Sequence, residues 1–133
     1  MAKPKIINAH VHFEYIPLIK ETKEFFQEID ITGLNIVSPA RLDRVNSNPQ
    51  AICFKAMYPD EVYISGGLDY SGIEGKSDKE IDKILGDQVI KLKEIGFDGI
   101  KILETKPSYA KRMPFPIDSP VYNSFFANIE TLQ

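Results

Sequence analysis

Two histidines, His10 and His12, are the only ones in the chain, and one residue separates them. In an extended strand, residues two apart project from the same side. The pair would therefore stand side by side, with Ile7, Ala9 and Val11 on the opposite face. The run from Ile6 to Phe13 carries no charge besides the imidazoles, as in a buried parallel strand. Two neighbouring imidazoles at a strand end make half of a divalent-metal site, because imidazole is the commonest ligand for zinc and similar ions. The plain alternative is a pair of strand-end histidines bonded to nearby carbonyls.

Lys101 is the next residue that could do chemistry. It interrupts the apolar run from Gly99 to Leu103. Ile100 and Ile102 share one face, as packed helices require, so Lys101 takes the other with Gly99 and Leu103. A lysine on the inner side of a sheet is costly unless it is paired, neutralised or modified. It could meet a carboxylate, bind an anionic substrate, or bridge metals as a carbamate. A lysine whose head snorkels to solvent is the other reading. Asp69 and Tyr70 follow the third strand and Glu104 follows the fourth. Loops after strands gather site residues, so Asp69 and Glu104 are candidate substrate contacts. Lys106, Lys111 and Arg112 crowd the next loop, where a merely solvated surface is the simpler account.

Four strand–helix units position these residues. The strands are expected at residues 5–12, 34–37, 62–66 and 99–103. Helices follow at about 19–29, 48–58 and 77–95, and a last one opens near Asp118. Phe25, Phe26 and Ile29 recur at helical spacing in the first. Asn48 suits the cap of the second, with Pro49 at its first position. Ser77 and Glu80 make a capping-box pattern for the third, and Gly96 a left-handed stop. Strands alternating with helices imply a parallel α/β sheet. Residues 1–133 read as a single domain without a linker. Four units fit either a small open sheet or half of an eight-stranded barrel, and both place working residues at the carboxyl ends of strands.

Composition narrows the classes. The apolar content of 43% and charged content of 26% suit a soluble globular domain. A net charge of −3 gives no basic surface for nucleic acid. No apolar run reaches the ~20 residues a membrane span needs. One cysteine, Cys53, permits no internal disulfide and suits a reducing, cytoplasmic setting, where it reads as a small core residue. There is no Gly-rich phosphate loop and no Gly-x-Ser-x-Gly elbow, which removes the P-loop, dinucleotide and hydrolase-elbow chemistries.

The segment Ile7-Asn8-Ala9-His10-Val11-His12 resembles the His-x-His signature ending the first strand of the amidohydrolase superfamily, with Asn8 where that family often has Asp. Gly96-Phe97-Asp98-Gly99-Ile100-Lys101 is similar to the fourth-strand segment of its amidohydrolase-related branch. The likeness extends to Asp118-Ser119-Pro120 at the start of the last helix. It implies the amino-terminal half of a TIM-type (β/α)8 barrel with a divalent metal, zinc first and manganese second, at its carboxyl mouth. His10 and His12 would be first-strand ligands, and Lys101 lies near the position where some members carry a carbamylated lysine. The activity implied is hydrolysis of a C–N or ester-type bond in a small molecule, or decarboxylation on the same scaffold. A half barrel that binds a ligand without turning it over is the non-enzymatic alternative. The family's later ligands, after strands five, six and eight, have no counterpart here. A half barrel is expected to expose two sheet edges and an apolar inner face, and to hide them against a second copy or the missing half.

Overall fold

A computed structural model describes residues 5–41, 45–113 and 115–132. Four strands, β1 (Ile7–Val11), β2 (Gly33–Val37), β3 (Val62–Gly66) and β4 (Gly99–Ile100), form one sheet in sequence order. Every pairing is parallel. Helices α1 (Ile19–Glu28), α2 (Asn48–Met57) and α3 (Asp78–Glu94) make the crossovers, and α5 (Asn123–Thr131) ends the described chain. A single short helix, α4 (Pro107–Ala110), lies in the loop expected to be irregular.

The helices cover one face of the sheet. Leu34 and Ile36 of β2 and Val62 and Ile64 of β3 point into that layer and are almost fully buried, with Phe54 of α2 and Phe97. Fully burying such a side chain is worth ~1.5–3 kcal/mol, so β2 and β3 are the anchored centre. A second cluster lies between α3 and α5, built from Leu85, Val89, Val121, Tyr122 and Phe125. Gly86 permits this approach, since a Cβ there would lie 2.6 Å from Ser124 Cβ.

The other face is open, and it mixes polar side chains with Ile7 and Tyr63 where an apolar face was expected. Tyr63 is 44% exposed there, and Asn35, Ser65 and Lys101 are partly exposed. Ser65 Oγ donates to Asn35 Oδ1 at 3.2 Å, and Asn35 Nδ2 donates to the Ala9 carbonyl at 3.2 Å. The polar groups keep this side of the sheet hydrated without a covering layer, as antiparallel sheets do routinely and parallel ones seldom.

Several local expectations are corrected. β1 is an exposed edge strand, not a buried one, because only β2 pairs with it. β4 stops at Ile100, three residues early, although the Lys101 N–H still reaches the Gly66 carbonyl. Asn48 does not cap α2. Its side chain instead clasps the Gly67 backbone, accepting from the N–H at 2.9 Å and donating to the carbonyl at 3.0 Å. Gly67 needs that grip because it runs against Ser38–Ala40, where any Cβ would fall 2.6 Å from backbone atoms. In α1 the buried positions are Ile19 and Lys23, while Phe25 and Ile29 are more than half exposed. Lys23 sits there because Glu61 pairs with it at 2.7 Å.

α3 starts as expected. Glu80 accepts from the Ser77 N–H at 2.9 Å and from Ser77 Oγ at 2.7 Å. Gly96, at φ +100°, ends the turn after it. The last helix begins as a 3-10 turn, Pro120–Tyr122. Asp82 of α3 supplies its cap by accepting from Ser124 N–H and Oγ at 2.7 and 2.6 Å.

Candidate functional site

The histidine pair owes its direction to a bulge. Asn8 pairs with Leu34, but Val11 pairs with Ile36, so one extra residue of β1 is accommodated between them. Leu34 and Ile36 both face the helices. Without the extra residue, His10 would have taken the place of Val11 opposite Ile36. With it, Val11 turns toward the core and His10 and His12 turn to the open face. Re-aiming side chains is what such bulges do. Asn8 supports the detour by accepting the His10 N–H on Oδ1 at 3.2 Å. The alternation expected from sequence holds for the two histidines and Val11 but breaks at Ile7, which packs over Gly33 on the open face.

The two imidazoles converge. His10 Nε2 and His12 Nε2 lie 3.1 Å apart, with the rings nearly perpendicular at 80°. His12 Nδ1 lies 2.8 Å from the Val37 carbonyl oxygen. A carbonyl only accepts, so Nδ1 carries the proton and donates, which leaves Nε2 unprotonated, able to accept from His10 Nε2 or to bind a metal ion. His12 therefore meets both expectations at once, a carbonyl-bonded histidine and a presented ligand. Partial desolvation, then the charge of Lys101, then His12, lower the His10 pKa below the ordinary histidine value. The neutral form, which is the ligating form, is favoured.

Two nitrogens bound cis on a tetrahedral zinc stand about 3.3 Å apart, given Zn–N near 2.05 Å. The 3.1 Å separation here fits that spacing. The carbonyl that orients His12 is the outer partner that ligating histidines usually have. The donor set is short, however. Among the described residues no group of three or more His, Cys, Asp or Glu side chains is placed to hold a metal ion. The pair suits two positions of a site that needs at least one more protein donor.

Lys101 belongs to this site by its field, since its charge acts on His10. It is partly exposed and makes no ion pair among the described residues. Arg41 and Glu14 pair at 2.5 Å on the loops that follow β2 and β1.

The other expected contacts are placed elsewhere. Asp69 is exposed and engaged locally. Its Oδ1 accepts the Ser71 N–H at 2.9 Å, while its own backbone N–H and carbonyl are bridged by Gln88 at 2.8 Å each. Glu104 is only 2% exposed. Its Oε1 accepts from Tyr70 Oη at 2.5 Å and its Oε2 from the Leu103 N–H. Tyr70 Oη also lies 3.1 Å from Tyr122 Oη. Tyr70 spends its single proton on Glu104, so Tyr122 donates to Tyr70. Burial first, and then the neighbouring carboxylate, push the Tyr70 pKa far up, and burial raises that of Tyr122. Both phenols remain protonated donors. The sequence placed Tyr70 in the loop after the third strand and Tyr122 in the last helix, and nothing there linked either to Glu104.

Cys53 is partly buried and packs on the cluster beneath β2 and β3. Among the described residues no helix is long and apolar enough to cross a membrane. Comparison with protein-family models, with curated proteins and with solved structures found no match to this chain.

Proposed function

We propose that this chain is the amino-terminal, half-barrel part of a metal-dependent hydrolase of the amidohydrolase type, acting on a C–N or ester-type bond of a small molecule. The observation that carries the reading is the convergence of His10 and His12 Nε2 at the carboxyl end of β1, with His12 oriented by Val37. His10 and His12 would hold a divalent ion, zinc before manganese. When bound, the ion would acidify a water or polarise the scissile carbonyl. His12 keeps its proton on Nδ1, away from the ion, and Val37 fixes the ring plane. Lys101 would draw an anionic substrate group toward the open face, because it has no carboxylate partner among the described residues. A reducing, cytoplasmic setting accompanies this reading, supported by the lone cysteine.

The same Lys101 observation favours a second reading. A cation beside the ligand pair would suit a carboxylate substrate, as decarboxylation requires. Both are tested with the zinc-loaded protein and a panel of small amides, esters and carboxylic acids. Hydrolytic products, with KM for anionic substrates raised in Lys101→Met, support the first reading. Carbon dioxide release supports the second. No turnover of any member of the panel, by protein carrying a full complement of zinc, contradicts both and leaves a binding module.

A further inference from the structure

The chain beyond β1 carries one more charged group to the side of the histidines. Val11 and Phe13 both pack into the cluster between sheet and helices, so the alternation that brings out His10 and His12 also brings out Glu14. There Glu14 meets Arg41, whose Nη2 donates to Glu14 Oε1 at 2.5 Å. The Arg41 backbone is fixed from two sides. It bridges Asp69 in parallel register, and the carbonyl of the fully buried Ala40 before it accepts from Tyr109 Oη at 2.8 Å. The guanidinium is sparingly used by comparison. Its only hydrogen bond and only ion pair among the described residues go to Glu14. The Arg41 side chain is 26% exposed and that of Glu14 50%. Asp69, the carboxylate on the adjoining loop, turns to the Ser71 N–H instead.

A planar fork with unspent donors is suited to a carboxylate held by two parallel hydrogen bonds, and Glu14 takes only one. An ion pair this exposed contributes little, and a displaced Glu14 can turn to water. We propose that Arg41 takes a carboxylate of the substrate and that Glu14 occupies the fork until the incoming group displaces it. This deepens the hydrolase reading above, on which it rests, by naming the substrate class: a small molecule that bears a carboxylate, clasped from the loop after β2. The roles of the two cations then divide. Lys101 is a point charge on a flexible stem and attracts, whereas the Arg41 fork selects.

The test is calorimetric titration of the full chain with succinate and, separately, with inorganic phosphate, in zinc-loaded and zinc-stripped protein. Arg41→Met is expected to lose at least ~10-fold in succinate affinity. Glu14→Ala is expected to gain ~2–5-fold, because removing an exposed partner releases the donor it held. The opposite signs are the signature. A pair that only ties the two loops together would shift both variants the same way. Arg41→Lys keeps the charge and loses the fork, and is expected to bind like Arg41→Met rather than like wild type. Circular dichroism should be unchanged in all three. Glu14→Ala, at a half-exposed position, decides the matter alone if Arg41→Met fails to fold. No succinate binding by the wild type, or wild-type affinity in Arg41→Met, overturns the site. Equal or weaker binding in Glu14→Ala overturns the displacement. Phosphate bound more tightly than succinate overturns the substrate class. The opposite-sign pattern in a chain that takes up no zinc leaves Arg41 standing and removes the hydrolase reading. Zinc uptake with no effect at Arg41 does the reverse.

Discussion

Two polar groups of this molecule sit on the loops and strand ends of the same sheet and are built in opposite ways. The Tyr70–Glu104–Tyr122 chain is closed. Glu104 is buried, each of its oxygens accepts a hydrogen bond, and each phenol has a partner. The His10–His12–Lys101 group is open. Its nitrogens converge on one another at the protein surface, and its lysine has no ion pair among the described residues. A satisfied buried network rigidifies a fold, whereas convergent donors left for a third party describe a site. From sequence alone both were candidates, His10 as a metal ligand and Glu104 as a substrate contact. Their surroundings separate them.

The comparison can be broken first at its closed half. Glu104→Ala removes the acceptor of the buried Tyr70 hydroxyl and of the partly buried Leu103 N–H. A loss of about 3 kcal/mol in urea unfolding is expected, with zinc uptake unchanged. A loss under ~1 kcal/mol would show that water replaces the carboxylate. Tyr70→Phe removes the donor to Glu104 and the acceptor of Tyr122 but leaves the Leu103 N–H on the carboxylate, and is expected to cost about 2 kcal/mol in the same measurement.

At the open half, Asn8→Ala removes the side chain that supports the bulge at His10. Zinc affinity is expected to fall about 10-fold, as for other outer-sphere changes, in a competition titration with a chelator. Stability should move by no more than ~1 kcal/mol, since the bond is exposed. An unchanged affinity would mean that the bulge holds the histidines without Asn8.

The smallest effect concerns neither group and sets a baseline. The Ser77 hydroxyl first, and then its backbone N–H, hold the exposed Glu80 carboxyl below the usual carboxylate range. A carboxyl with a lowered folded pKa stabilises above its unfolded pKa, and that contribution is lost as pH falls through the folded value. Glu80→Gln should therefore melt slightly lower than wild type at pH 7. The two melting temperatures should begin to approach one another near the unfolded carboxyl pKa of about 4.3 and converge once the pH has fallen through the lower folded value. A difference that persists in acid would assign it to the hydrogen bonds rather than to the charge.

The element order and the parallel sheet were legible because apolar runs of strand and helix length alternate, with a capping box and a glycine stop marking α3. The α3 capping box and the common face of His10 and His12 followed from local rules. What was hidden depended on long-range contacts. The bulge that turns the histidines outward is set by the pairing of Val11 with Ile36. Lys23 is buried because Glu61, 38 residues away, meets it. The grip of Asn48 on Gly67 outcompetes its capping role, since it satisfies two backbone groups where the chain passes Ser38–Ala40 at close range. Glu104 looked like a loop carboxylate until Tyr70 and Tyr122 closed over it.

The central claim is that His10 and His12 are ligands. Its most direct test is elemental analysis of the purified, zinc-equilibrated chain beside the double variant His10→Ala with His12→Ala. The account predicts about one zinc per chain in the wild type, and none in a variant of unchanged circular dichroism. Equal metal content in the two proteins would contradict it.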